Sequence, residues 1–120
     1  MKKLNLTVIT ENQNRLEKAE KLAKLIQETL ETQDDFSISK YEKLNDSFKI
    51  EIHVRINEEE NTIYQAVELT DRICSPWIAN FDRKNNSIEL IFNRLESSKF
   101  RNHNFNVISW GVLQELENWL

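Results

Sequence analysis

The nine residues FKIEIHVRI, Phe48 to Ile56, alternate without interruption. Phe48, Ile50, Ile52, Val54 and Ile56 fall on one face of an extended chain, and Lys49, Glu51, His53 and Arg55 on the other. Successive side chains of a strand point to opposite faces, so this pattern describes a strand with one face in a core and one in water. A strand buried on both faces, as in a parallel sheet, would read as a continuous apolar run. The stretch therefore predicts a largely antiparallel sheet with its helices on one side.

Upstream, Asn45-Asp46 is a turn signal, and Phe36 and Ile38 open a strand that is expected to run on toward Leu44. Residues 3–10 alternate as another half-buried strand, with Leu4, Leu6 and Val8 inward. Between these two strands, Leu16, Ala19, Leu22, Ala23, Ile26 and Leu30 recur at helical spacing, with Asn12 or Asn14 as the expected N-cap. Downstream, Asn57 and Glu60 imitate a capping box. The triplet Glu58 to Glu60 suits the positive end of a helix dipole. Ile63, Ala66, Val67, Thr70, Ile73 and Cys74 trace the inner stripe of that helix, and Ser75-Pro76 ends it.

Trp77, Ala79 and Phe81 alternate, Arg83 to Asn86 reads as a hairpin loop, and Ile88, Leu90 and Phe92 alternate again. Residues 95–106 are polar apart from Phe100 and Phe105. Val107 to Leu120, rich in leucine and tryptophan, reads as a C-terminal helix capped by Asn106. The expected order is β-α-β-β-α-β-β-α in one domain, residues 1–120. The fold class is α+β, a two-layer α/β sandwich with a mostly antiparallel sheet and all helices on one face. Its first six elements follow a split β-α-β order.

Composition narrows function by exclusion. With 39% hydrophobic and 30% charged residues the chain is globular rather than disordered. It has one glycine, Gly111, where an average chain carries roughly 7%. Phosphate-cradling loops and nucleophile elbows need glycine's conformational freedom, so neither can be written here. Placed in the C-terminal helix, Gly111 would serve close packing beside Trp110. Net charge is −4, against the basic excess of a nucleic-acid binder and in favour of a basic partner. The exposed face of the 48–56 strand carries no aromatic residue on which a base could stack. One cysteine excludes an intrachain disulfide and suits a reducing compartment. The opening MKKLNLTVIT lacks the apolar run of a signal peptide, and no stretch approaches a membrane span. The expected compartment is the cytoplasm, with no membrane partner.

Individual residues carry little chemistry. His53 lies on the wet face beside Glu51 and Arg55, where an exposed strand histidine is the plainer reading than a general base. His103 sits in a polar loop. Two histidines and one distant cysteine give no metal-ligand spacing, and no cofactor is implied. Cys74 reads as a buried, inert thiol, and Trp77, Trp110 and Trp119 as packing residues. The most suggestive cluster is Glu28, Glu31, Asp34 and Asp35, at the end of the first helix and in the loop beyond. Carboxylates there face the negative end of the helix dipole, so folding does not ask for them. They are the candidate partner-binding residues. A solvated acidic surface is the plain alternative. The basic stretch Arg83, Lys84, Arg94, Lys99 and Arg101 could pair with an acidic partner or with this helix end.

The segments SWGVLQELENWL, Ser109 to Leu120, and WIANFDRKNNSIELIFNR, Trp77 to Arg94, resemble in style the immunity proteins of contact-dependent growth inhibition and related bacterial polymorphic toxin systems. The resemblance implies a non-catalytic inhibitor that binds one cognate toxin domain, often a nuclease, in the cytoplasm. Two other readings stand beside it. One is a small adaptor or oligomeric scaffold, motivated by the aromatic C-terminal segment. The other is a small acid–base enzyme using His53, Glu51 and Arg55 on the exposed sheet face.

Overall fold

The computed structural model describes residues 3–84 and 87–116. Its elements are β1 (Lys3–Thr10), α1 (Leu16–Leu30), β2 (Phe36–Lys40), β3 (Phe48–Arg55), α2 (Thr62–Asp71), β4 (Cys74–Ser75), β5 (Ile78–Asp82), β6 (Ser87–Asn93), β7 (Lys99–Phe100), a 3-10 turn (His103–Val107) and β8 (Ile108–Leu116). Six strands form one sheet in the order β2-β3-β1-β8-β6-β5, antiparallel at every pairing. The short strands β4 and β7 pair separately. The α+β class and the mostly antiparallel sheet are as read from residues 48–56.

Partners across an antiparallel pair share a face. Phe36, Ile52, Leu6, Leu113, Leu90 and Ala79 form one cross-strand row that runs the width of the sheet. Four of these six are fully buried, and they join Ala19, Leu22, Ala23 and Ile26 of α1 and Ala66 and Leu69 of α2 in a single core. The adjacent row on the opposite face is Ile78, Ile91, Val112, Thr7, Glu51 and Ser37.

The expected C-terminal helix is wrong. The described part of that segment is β8, the strand between β1 and β6, so the sheet gains a central member and the described helices number two. Leucine, glutamine and glutamate in 113–116 favour a helix in isolation. Pairing on both edges overrides that weak preference, and Ile108, Trp110 and Val112 suit a strand better. Residues 117–120, including Trp119, lie outside the described residues, as do Asn85 and Asn86 of the expected hairpin loop. Asn106 caps no α-helix and lies within the 3-10 turn.

Smaller boundaries also move. β2 stops at Lys40 instead of reaching Leu44. α1 has Arg15 at its N-cap with no side-chain cap. Asn12 instead takes a left-handed backbone, and the Gln13 N–H donates to the Asp46 carbonyl at 2.9 Å. α2 begins at Thr62 under Asn61, whose Oδ1 accepts from the Tyr64 N–H at 2.9 Å. The triplet Glu58–Glu60 therefore precedes the helix. Asn57 closes a local turn by accepting from the Glu59 N–H, and Gln65 grips the Asn57 backbone through both ends of its carboxamide. Ile63 and Val67 of the expected inner stripe are exposed, because the helix turns Ala66, Leu69 and Thr70 inward.

Candidate functional site

The C-terminal end of α1 is where the acidic candidates gather. Glu31 is the C-cap residue and adopts φ 56°, ψ 40°, the left-handed conformation that glycine usually supplies. The Thr32 N–H reaches back to the Gln27 carbonyl at 3.0 Å and closes the helix end. The Gln27 carboxamide donates to the Asp34 carbonyl and folds the following loop against the helix.

The loop borders a cleft of about 650 Å³ between α1, the end of β3 and α2. Leu30, Val54 and Leu69 give it apolar lining. Glu31, Asp34, Glu60 and Glu68 oppose Arg55 and Arg72, so four carboxylates face two guanidiniums. Arg55 Nε lies 3.2 Å from Asp34 Oδ1. Arg72 pairs with Glu68 at 2.7 Å and more loosely with Glu31 at 3.8 Å.

The four candidates are thus not equivalent. Glu31 and Asp34 line the cleft, and each has an intramolecular cation, Arg72 and Arg55, neither of which belongs to the basic stretch that the sequence offered. Glu28 and Glu31 share a neighbouring shallow hollow with Lys24 and Gln27. Asp35 is exposed and lines neither. Arg55, Glu60, Gln65, Glu68 and Arg72 were missed as members of the cleft. The spacing of Glu68 and Arg72, four apart on a helix, was the one available signal for an ion pair. Among the described residues no ion pair joins the basic stretch to this acidic end, which was one of the two pairings left open for it. Arg94 pairs with Glu11, and Arg101 with Asp71 at 2.8 Å.

The opposite sheet face is less wet than its best strand suggested. Ile9, Ile91, Trp110 and Val112 form an apolar band across β1, β8 and β6, bordered by Tyr41 and Leu44 of the β2–β3 loop. Ile78 extends the row to the sheet edge, 65% exposed. Lys49 and Glu51 pair at 3.1 Å on this face, so Glu51 is engaged by Lys49 and is not reserved for orienting His53. His103 is exposed at the start of the 3-10 turn. Among the described residues no group of three His, Cys, Asp or Glu could hold a metal ion, and no helix is long and apolar enough to cross a membrane.

Cys74 is buried, as expected. Burial pushes its thiol up to about 12, while a hydrogen bond from Trp77 pulls the other way. A shift from 9.0 to about 12 cuts the thiolate fraction near neutral pH roughly a thousandfold. A thiol-reactive disulfide reagent at pH 8 will label native Cys74 at least that much more slowly than the same chain in guanidinium. Equal rates would mean the thiol is accessible. The sign for stability follows: the contribution is whole below the ordinary thiol range and is lost as pH climbs toward 12.

No family model, curated protein or solved structure matches this chain.

Proposed function

We propose that this chain is a non-catalytic immunity protein that binds a cognate toxin domain, a nuclease, in the cytoplasm and neutralises it. In this reading the fold is a two-layer sandwich with both helices on one side. The acidic end of α1 and the α2 flank then form one surface for a cationic partner. Nucleases hold phosphates with cationic surfaces, and a carboxylate-rich inhibitor face complements them and speeds encounter.

The observation that carries the reading is Glu31. It occupies a left-handed C-cap at the negative end of a helix dipole, two conditions that disfavour glutamate. Its side chain is 81% exposed and only loosely paired with Arg72. A charged side chain kept exposed at a strained position supports a role in contact with a partner.

The test is a substitution with opposite effects on stability and binding. Glu31→Gly should stabilise the free chain by about 1 kcal/mol. The same change, combined with Glu28→Lys and Asp35→Lys, should weaken binding to the toxin domain encoded directly upstream by tenfold or more, mainly through slower association. Isothermal calorimetry and growth protection read the two sides. Undiminished binding by the triple variant removes the acidic surface from the interface. Absence of any complex at micromolar concentration ends the immunity reading.

An adaptor or scaffold reading draws on a different feature, the apolar band around Trp110 on the open sheet face. Light scattering addresses self-association directly, and a strict monomer at high concentration counts against it.

A further inference from the structure

We propose that a hollow beside the first half of α1 binds the phosphoryl group of a small hydroxyl-bearing phosphate, either free hydrogen phosphate or a polyol monophosphate. It is lined by Gln13, Lys18, Lys21, Leu22, Leu25 and Asn104 and measures about 270 Å³. This inference does not depend on the inhibitor reading.

Gln13 is the central observation. It is only 8% exposed, and its Oε1 is buried with no hydrogen-bond partner among the described residues. Buried polar atoms are nearly always paired, and one that is not calls for a physical reason. Its backbone is fixed, since the N–H is spent on the Asp46 carbonyl. Gln13 is itself one of the residues lining the hollow, and a turn about its last side-chain bond would present oxygen or nitrogen to an occupant.

Three further features select a hydroxyl-bearing anion. Lys18 and Lys21 lie three apart on one helix face, and both line the hollow. Neither makes an ion pair among the described residues. The N-terminus of α1 has no side-chain cap, and although its Lys18 N–H is spent on the Arg15 carbonyl at 3.1 Å, the first turn still adds positive potential close by. Glu17, the acidic residue of that turn, is not part of the lining. Two ammonium groups match a dianion. An unpaired carbonyl oxygen matches a hydroxyl donor, which hydrogen phosphate carries on phosphorus and a polyol phosphate carries on carbon as well. Leu22 and Leu25 supply apolar surface for the carbon skeleton of a bound ester.

The test is an amide-resolved NMR titration of the full chain with inorganic phosphate, glycerol phosphate and sulfate, the last being a dianion without a hydroxyl donor. Saturable shifts at residues 13–18 are expected, with a Kd below about 1 mM for phosphate or glycerol phosphate. Sulfate should bind at least tenfold more weakly. Equal affinity for the two phosphates identifies free phosphate as the ligand. A fivefold or greater preference for the ester identifies a carried phosphoryl group. Gln13→Leu keeps the side-chain volume and removes the unpaired amide, so it should lose at least tenfold in affinity while its Tm rises by about 2–5 °C. Lys18→Gln with Lys21→Gln should abolish saturation. The proposal is overturned if neither phosphate saturates by about 20 mM, if sulfate binds equally well, or if Gln13→Leu binds like the parent. It also falls if Gln13→Leu melts lower or does not fold, which would make the glutamine structural.

Discussion

Phe92→Ala lowers stability by about 3–5 kcal/mol. Phe92 is fully buried in β6 and faces Gly111 across the β6–β8 pairing. Trp77 packs against it with ring centroids 5.4 Å apart, and Phe100 meets it edge-on at 5.9 Å. Removing the ring withdraws its apolar surface and leaves two aromatic neighbours facing a void. Trp77 is tied by its indole N–H to the Cys74 carbonyl at 2.8 Å, and Phe100 pairs with Cys74 in the β4–β7 ladder, so neither can easily move in to fill it. A loss of this size is a large part of a domain's usual 5–15 kcal/mol. It should lower Tm by more than about 10 °C, read by circular dichroism in parallel with urea unfolding. Phe81→Ala is the control: its ring is 44% exposed on edge strand β5, and the change should cost no more than about 1 kcal/mol. Equal costs at the two sites would mean that the Trp77–Phe92–Phe100 cluster is not the anchor of that end of the sheet.

Gly111→Val is the second large effect. A Cβ at this position would sit 3.1 Å from Trp77 Cη2 and 3.4 Å from Val8 Cγ1, beside the Thr7 carbonyl at 3.5 Å. Valine adds two methyl groups to that space. Overpacking should cost about 1–3 kcal/mol, with a changed near-ultraviolet dichroism signal as Trp77 gives way. Gly111→Ala sets a tight contact against the reduced chain entropy of the unfolded state and should fall within about 1 kcal/mol of the parent. If valine is as well tolerated as alanine, Trp77 does not lie over the glycine as described.

Gly111 also shows where sequence reading reached its limit. The scarcity of glycine was visible at once, and among the described residues the structure meets it by placing Asn12, Glu31 and Asp46 at positive φ. The role of Gly111 itself was misread, because its partners Val8, Phe92 and Trp77 are remote in sequence. Residues 48–56, 3–10 and 87–93 were legible because each alternates against a single core. β8 was not. It lies between two strands, so its helix-favouring residues are held extended by hydrogen bonds that no local window contains. The acidic candidates were legible as charges. Their pairing with Arg55 and Arg72 depends on how α1, β3 and α2 meet, which charge spacing along the chain does not encode. Gln13 gave no signal at all, since an unpaired carboxamide is defined by what surrounds it.

The position of β8 has a consequence in time. β1 and β8 stand side by side, with Lys3 opposite Leu116, so the middle of the sheet joins segments more than a hundred residues apart. A ribosome releases the first long before the second. Through most of synthesis β1 has β3 on one side and an open edge on the other, with Leu4, Leu6 and Val8 lacking part of their cover. Contacts this distant slow folding, and an open apolar edge invites association with other chains. The nascent protein is therefore most exposed to aggregation just before β8 emerges. Slower synthesis over residues 100–116 would lengthen that interval rather than help the chain fold.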